Sequence, residues 1–191
     1  TGVISAGGKL ESAIWMQGEQ DGYSNLVSQP TYANDLAALF ARIRTAFGQA
    51  SLPIVVTPLA GYTNAGPTDA SWEGIRQAQI TVGLQSNNTL AAANQDLALV
   101  DGVHYTAAAY VVHGTRAARA MRAAMGLSTF ARGPSIISAT QPTASTIELT
   151  LNHRGGTDFS PAAAITGFRV LDGVAVVAIT SVVRTAANKI L

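Results

Sequence analysis

The chain has no cysteine, so disulfide frameworks and thiolate metal sites are excluded. Charge is also scarce: Asp, Glu, Lys and Arg make up 12% of the residues, and the formal net charge is +1. Lys and Arg do not cluster, which argues against a nucleic-acid partner or an anionic membrane surface. No apolar run approaches the roughly 20 residues that span a bilayer. The longest, over residues 174–183, is interrupted by Thr180 and Ser181. There is no initiator Met and no signal-peptide pattern at Thr1-Gly2-Val3, and Asn188-Lys189-Ile190-Leu191 reads as a strand just beginning. Both ends therefore look cut, as if the chain were a piece of something longer. What remains is a hydrophobic content of 48% over 191 residues, enough for one well-cored domain, or one domain and the start of a second.

A strand is expected over 10–16, and its apolar end, Ile14-Trp15-Met16, runs straight into Gln17, Gly18, Glu19 and Asp21, the pattern of a buried strand ending in a functional loop. Pro30 with Tyr32, Leu36, Leu39, Phe40, Ile43 and Phe47 has helical spacing, with Gly48 as its C-cap. Residues 52–57 read as a buried β-branched strand. A loop over 61–67 precedes a helix carrying Trp72, Ile75, Gln79, Ile80 and Val82, capped by Thr68 or Ser71. Residues 97–100 read as a further short strand that delivers Asp101 and His104. After Thr106 as cap, Tyr110, Val111, Gly114, Ala117, Ala118, Met121 and Met125 form an apolar stripe that ends at Gly126. Strand and helix alternate over short connections, which predicts parallel strands in a three-layer α/β/α domain.

Beyond Gly133-Pro134 the pattern changes to short alternating runs at 135–140, 146–151, 166–171 and 174–179, with turns between them. The expectation is an α/β domain over 1–132, lacking its N-terminal part, and a β-rich segment over 133–191 that begins an antiparallel β-sandwich.

Asp101 and His104 could serve as orienter and general base of an ester hydrolase. Taken alone, Asp-x-x-His also describes a turn Asp followed by a helix-capping His. Gln17 and Gly18 could donate to an oxyanion, or brace a loop and supply a turn with positive φ. Glu19 and Asp21 could hold loops together, hydrogen-bond a sugar or steer the histidine, with loop bracing the favoured reading. No His or further carboxylate near them stands at metal-ligand spacing. His113, in mid-helix, reads as incidental.

Trp15, Gln17, Gly18, Glu19 and Asp21 resemble the W-x-Q-G-E-x-D block of the sialate O-acetylesterase-like branch of the SGNH (GDSL-type) hydrolases. Asp101-Gly102-Val103-His104 resembles the Asp-x-x-His block that closes the active site in that superfamily. Tyr32, and the R-x-A-Q pattern of Arg76 and Gln79, also match, and the order is preserved over about residues 10–125. The resemblance implies a flavodoxin-like parallel sheet and a carbohydrate acetylesterase without cofactor or metal. It further implies His104 as base, Asp101 as its orienter, and Gln17 with Gly18 as oxyanion donors. Glu19, Asp21, Arg76 and Gln79 would support the site. Met16 stands where many relatives carry His. The family's serine lies upstream of the Trp block; neither Ser5 nor Ser12 has the turn and helix that would expose a nucleophile. The nucleophile is therefore expected outside this chain, and the fragment alone is expected to be inactive. The expected partner is an acetylated carbohydrate, in a secreted, cell-surface or virion setting. The alternative is a non-catalytic carbohydrate-binding or structural module of a phage tail or surface protein. No lid-like amphipathic segment supports a lipase.

Overall fold

A computed structural model of the chain describes residues 6–24, 26–62, 69–129, 133–154, 156–158, 163, 165–173 and 175–191. Thr1, Gly2, Val3, Ser5 and Thr68, each named above, lie outside them, as do residues 63–67 of the expected loop and residues 132 and 174, which bound expected segments. The chain divides into two compact units, Thr1–Arg132 and Gly133–Leu191.

The first unit is built on three parallel strands, β1 (Ala13–Trp15), β2 (Ile54–Val56) and β3 (Asn88–Leu90), in the order β1-β2-β3. Helices α1 (Glu19–Ser24) and α2 (Gln29–Ala46) connect β1 to β2, and α3 (Asp69–Gly83) connects β2 to β3. Helix α4 (Ala107–Ala124) follows. The side chains of β2 sort the layers, because neighbours on a strand point to opposite faces. Ile54 and Val56 pack with Tyr32, Leu36 and Phe40 of α2 and with Trp72, Ile75, Ala78 and Val82 of α3. Val55, on the other face, packs with Ala120 of α4. The fold is thus α/β, with helices on both faces of a parallel sheet.

Local chemistry accounts for the helix ends. Ser28 caps α2, its side chain accepting from Thr31 N, with Pro30 in the first turn, where its missing N–H costs nothing. Thr106 caps α4 in the same way from Ala109 N. Gly83 ends α3 against the sheet; a Cβ there would lie 2.9 Å from Leu90 Cδ1 and 3.2 Å from Val56 Cβ. A side chain there would press on Leu90 and Val56, so glycine suits the close approach.

Several expectations are corrected. Residues 97–100 form no strand; Leu99 makes an isolated antiparallel bridge to Tyr105, and Val100 is 71% exposed. The third strand is β3, which has no hydrophobic run. It is held by its pairing with β2 and by Asn88, whose amide donates to Val82 O and accepts from Arg44. Ser71 is no cap, since it lies inside α3 and its hydroxyl donates to Gly22 O. The buried stripe of α4 is Ala109, His113, Ala117 and Ala120, while Tyr110 and Val111 are exposed. Small residues on several faces of α4 leave little contrast to set its rotation from sequence.

The second unit is antiparallel. Strands β4 (Ser135–Thr143), β5 (Thr146–Asn152), β8 (Arg184–Ala186) and β9 (Lys189–Ile190) form a sheet in the order β4-β5-β9-β8. Strands β6 (Val170–Asp172) and β7 (Ala175–Val177) pair separately. Residues 166–169 belong to no strand, and β8 was not foreseen. Arg184 and Asp158 form a bidentate pair at 2.7 and 2.5 Å.

Candidate active site

Asp101 and His104 sit on a loop that closes on itself. Val100 N donates to His104 O at 2.8 Å, and Gly102 takes φ +85°, the left-handed conformation that favours glycine. Asp101 Oδ1 accepts from His104 N at 2.8 Å and from Val103 N at 3.1 Å. Its other oxygen, Oδ2, lies 2.7 Å from His104 Nδ1. The backbone N–H of His104, then its imidazole, then the N–H of Val103 stabilise the carboxylate, bringing its pKa down to about 2. The His104 side chain is 68% exposed, so its ring is accessible from the cleft it lines. That cleft is formed by Met16, Glu19, Ala60, Trp72, Val103, His104, Tyr105 and Tyr110.

Gln17 and Gly18 follow β1 between Met16 and Glu19, which line the cleft; neither is itself part of the lining. Gly18 has φ +135°, and a Cβ on it would lie 2.8 Å from Gln79 Nε2, 2.9 Å from Ile75 Cγ2 and 3.0 Å from Tyr32 OH. Gln17 is braced from all sides. Its Nε2 donates to Asp21 at 2.8 Å, and Tyr32 OH lies within bonding distance of both its carbonyl and its Oε1. Gln79, fully buried, donates from Nε2 to Gln17 O at 2.6 Å and accepts from Leu59 N at 2.8 Å. Arg76 donates to Leu59 O and Ala60 O and pairs with Glu73. Together these two α3 side chains fasten the loops after β1 and β2, which supply Glu19 and Ala60 to the cleft. Asp21 is spent on Gln17. Glu19 has no hydrogen-bond or ion-pair partner among the described residues, so loop bracing does not describe it; it is half-buried and faces the cleft. Met16 also lines the cleft and is 43% exposed. Ser12, half-buried just before β1, is not part of the lining.

The sequence pattern of the family described as "carbohydrate esterase, sialic acid-specific acetylesterase" matches residues 3–123. The chain belongs to this family. Comparison with curated proteins gives no match. Among solved structures the chain is similar to a carbohydrate acetylesterase from Xanthomonas citri, with a TM-score of 0.75 and 20% identity. The match covers 94% of this chain and 41% of that protein. At this identity the likeness concerns the fold, and the chain spans less than half of that protein's length.

Several residues of this esterase-family chain that shape the site carried no sequence signal. Asn94, fully buried, donates to Pro58 O at 3.3 Å. Arg116 grips Asp96 through two hydrogen bonds of 2.6 Å and also donates to Ala93 O. These contacts tie the loop that leads towards Asp101 to α4 and to the end of β2. His113 is buried with its ring centroid 5.2 Å from that of Tyr105, and its Nε2 has no partner among the described residues. Burial first, then Arg116, lowers its pKa, with Glu19 opposing. Tyr105 is pushed the other way, by burial and then by the charge of Glu19. Helix caps and strand runs are visible in a sequence; partners brought together from distant segments are not.

Proposed function

We propose that the chain carries the base-bearing part of a serine esterase that removes O-acetyl groups from carbohydrates. The observation that carries this reading is the 2.7 Å contact between Asp101 and His104 on the rim of a cleft in a member of this family. In this mechanism His104 Nδ1–H donates to the Asp101 carboxylate, and Nε2 takes the proton of a serine hydroxyl as it attacks the acetyl carbonyl. The protonated imidazole then gives that proton to the departing sugar oxygen. A water activated by the same nitrogen hydrolyses the acyl-enzyme and regenerates the serine. The second N–H of the Gln17 amide and the backbone N–H of Gly18 are the oxyanion donors. Asp21, Tyr32 and Gln79 support the reading as bracing for Gln17, and Arg76 as bracing for the loop that carries Ala60. The chemistry asks for no cofactor or metal, and the serine is not among the cleft residues described.

The test uses the complete reading frame that contains this chain, treated with a fluorophosphonate and read by intact mass. One adduct is expected, together with acetate release from acetylated oligosaccharides, and His104→Ala should abolish both. Turnover that survives His104→Ala would refute the assignment.

A further inference from the structure

Resting on that reading for its consequence in catalysis, we infer that His113 is a proton-sensitive positioning residue: neutral, it props Tyr105 and so sets where His104 stands in the cleft; protonated, it releases that prop. The two rings are in contact, with centroids 5.2 Å apart at 37°. Tyr105 directly follows His104, lines the same cleft, and packs edge-to-face on Tyr110 at 5.3 Å and 83°. Its backbone closes the His104 loop, through the bridge to Leu99 and the bond from Thr106 N to Ala98 O at 3.0 Å. The Asp101–His104 contact is internal to that loop. A displaced Tyr105 therefore moves the pair as a unit and changes its place in the cleft, not its own geometry.

A histidine packed under a tyrosine can be inert filling; two features set this one apart. His113 is 5% exposed, and its Nε2 has no partner among the described residues. Such a nitrogen is tolerable as the acceptor of a neutral ring and costly as the donor of a charged one. The charges around the ring are also uneven. Burial and Arg116, three residues on along α4, oppose the proton, while Glu19 at the start of α1 favours it. Asp96 is spent on Arg116, and from the His104 loop the ring meets Tyr105, whose hydroxyl feels Glu19 more than any other charge. The ring is therefore neutral near pH 7 and charges below the ordinary histidine value of about 6.5. The carboxylate that favours the charged form lines the cleft, as Tyr105 does. A protonated His113 gains by turning towards water or Glu19, and Tyr105, packed on it, yields.

The experiment follows the His113 and Tyr105 rings and the His104 amide of this chain by NMR from about pH 7.5 to about 4.5, a range that brackets the ordinary histidine value. The Tyr105 ring and the His104 amide should share a transition with the midpoint of the His113 ring, and Glu19→Gln should move that midpoint down. His113→Phe keeps an aromatic ring under Tyr105 and cannot charge; it should remove the shared transition while leaving the loop as it is at neutral pH. His113→Gln, a second uncharged replacement, should remove it too. Loop signals that ignore the His113 midpoint, or a transition there that survives both replacements, overturn the inference. In the complete protein, one pH unit below that midpoint, His113→Phe should keep about three- to tenfold more of its neutral-pH kcat/KM than the wild type, whose ring is then about nine-tenths charged. Equal losses in the two proteins overturn the inference. Absence of turnover in every form counts against the esterase reading alone, and the spectra of the chain then decide the role of His113.

Discussion

Replacing Gln79 with Leu changes little in volume and removes the amide's hydrogen bonds with Leu59 N and Gln17 O, which join α3 to the loops after β1 and β2, along with a long one of 3.5 Å to Tyr32 OH. The two loop partners are not equivalent. Gln17 O keeps the Tyr32 hydroxyl at 3.0 Å, so it remains satisfied. Leu59 N has Gln79 Oε1 as its acceptor at 2.8 Å, and Leu59 is buried. A buried donor left without an acceptor costs about 1–3 kcal/mol, and a lost hydrogen bond whose partner stays satisfied about 0.5–1.5. The sum, about 1.5–4.5 kcal/mol, corresponds to a fall in Tm of about 3–18 °C for a chain of this size. Thermal melts followed by circular dichroism measure this directly, and amide exchange at Leu59 reports the specific bond. Gln77→Leu is the control, since Gln77 is exposed on the same helix and should change stability by no more than about 0.5 kcal/mol. If Gln79→Leu behaved like Gln77→Leu while the Leu59 amide stayed protected, the staple would contribute nothing and the argument would fail.

Three further outcomes are expected. Gly18→Ala forces a side chain into contacts under 3 Å at a positive φ; strain and overpacking together should cost about 2–5 kcal/mol in urea unfolding, and a loss under about 1 would contradict the geometry. The folded pKa of His113 lies below its unfolded value, so the unfolded chain binds the proton more readily. Stability should therefore rise with pH up to about 6.5 and level off above it. His113→Leu should flatten that slope in urea midpoints taken at pH 5, 6 and 7, and an unchanged slope would clear His113 of the effect. If the proposed reading holds, Asp101→Asn in the complete protein should lower esterase kcat by about 10²–10⁴-fold while leaving KM nearly unchanged, because that reading has Asp101 orient the base without binding sugar.

How much of this was legible in the sequence follows from where each signal is stored. The caps of α2 and α4 are local chemistry, so Ser28–Pro30 and Thr106 could be read, and so could the β-branched run of β2. Strand β3 could not, because Asn88-Thr89-Leu90 is an edge held by neighbours rather than by its own composition. The apolar run at Leu97–Val100 misled for the complementary reason: Leu97 is buried against Ala60, Tyr105 and Ala109, while the backbone pairs within its own loop. Asp101 and His104 were visible as a motif, and the grip of Gln17 and Gln79 on one another was visible only as two separate blocks. The rest of the lining, Ala60 with Trp72 and Tyr110, depends on packing between segments that no short pattern joins.

The loop that closes between Leu99 and Tyr105 makes the Asp101–His104 geometry a local property, held by its own backbone bonds and one glycine. Such a unit is inherited whole. A descendant that lost its nucleophile or its oxyanion donors would keep the aspartate–histidine contact undisturbed, since nothing in those parts holds it in place. An intact pair therefore speaks for the base and its orienter, and the other parts of the site answer to their own tests. In tracing which descendants still turn over substrate, the discriminating residues are those packed around Gln17, where Gly18, Gln79 and Tyr32 must fit one another within tenths of an ångström.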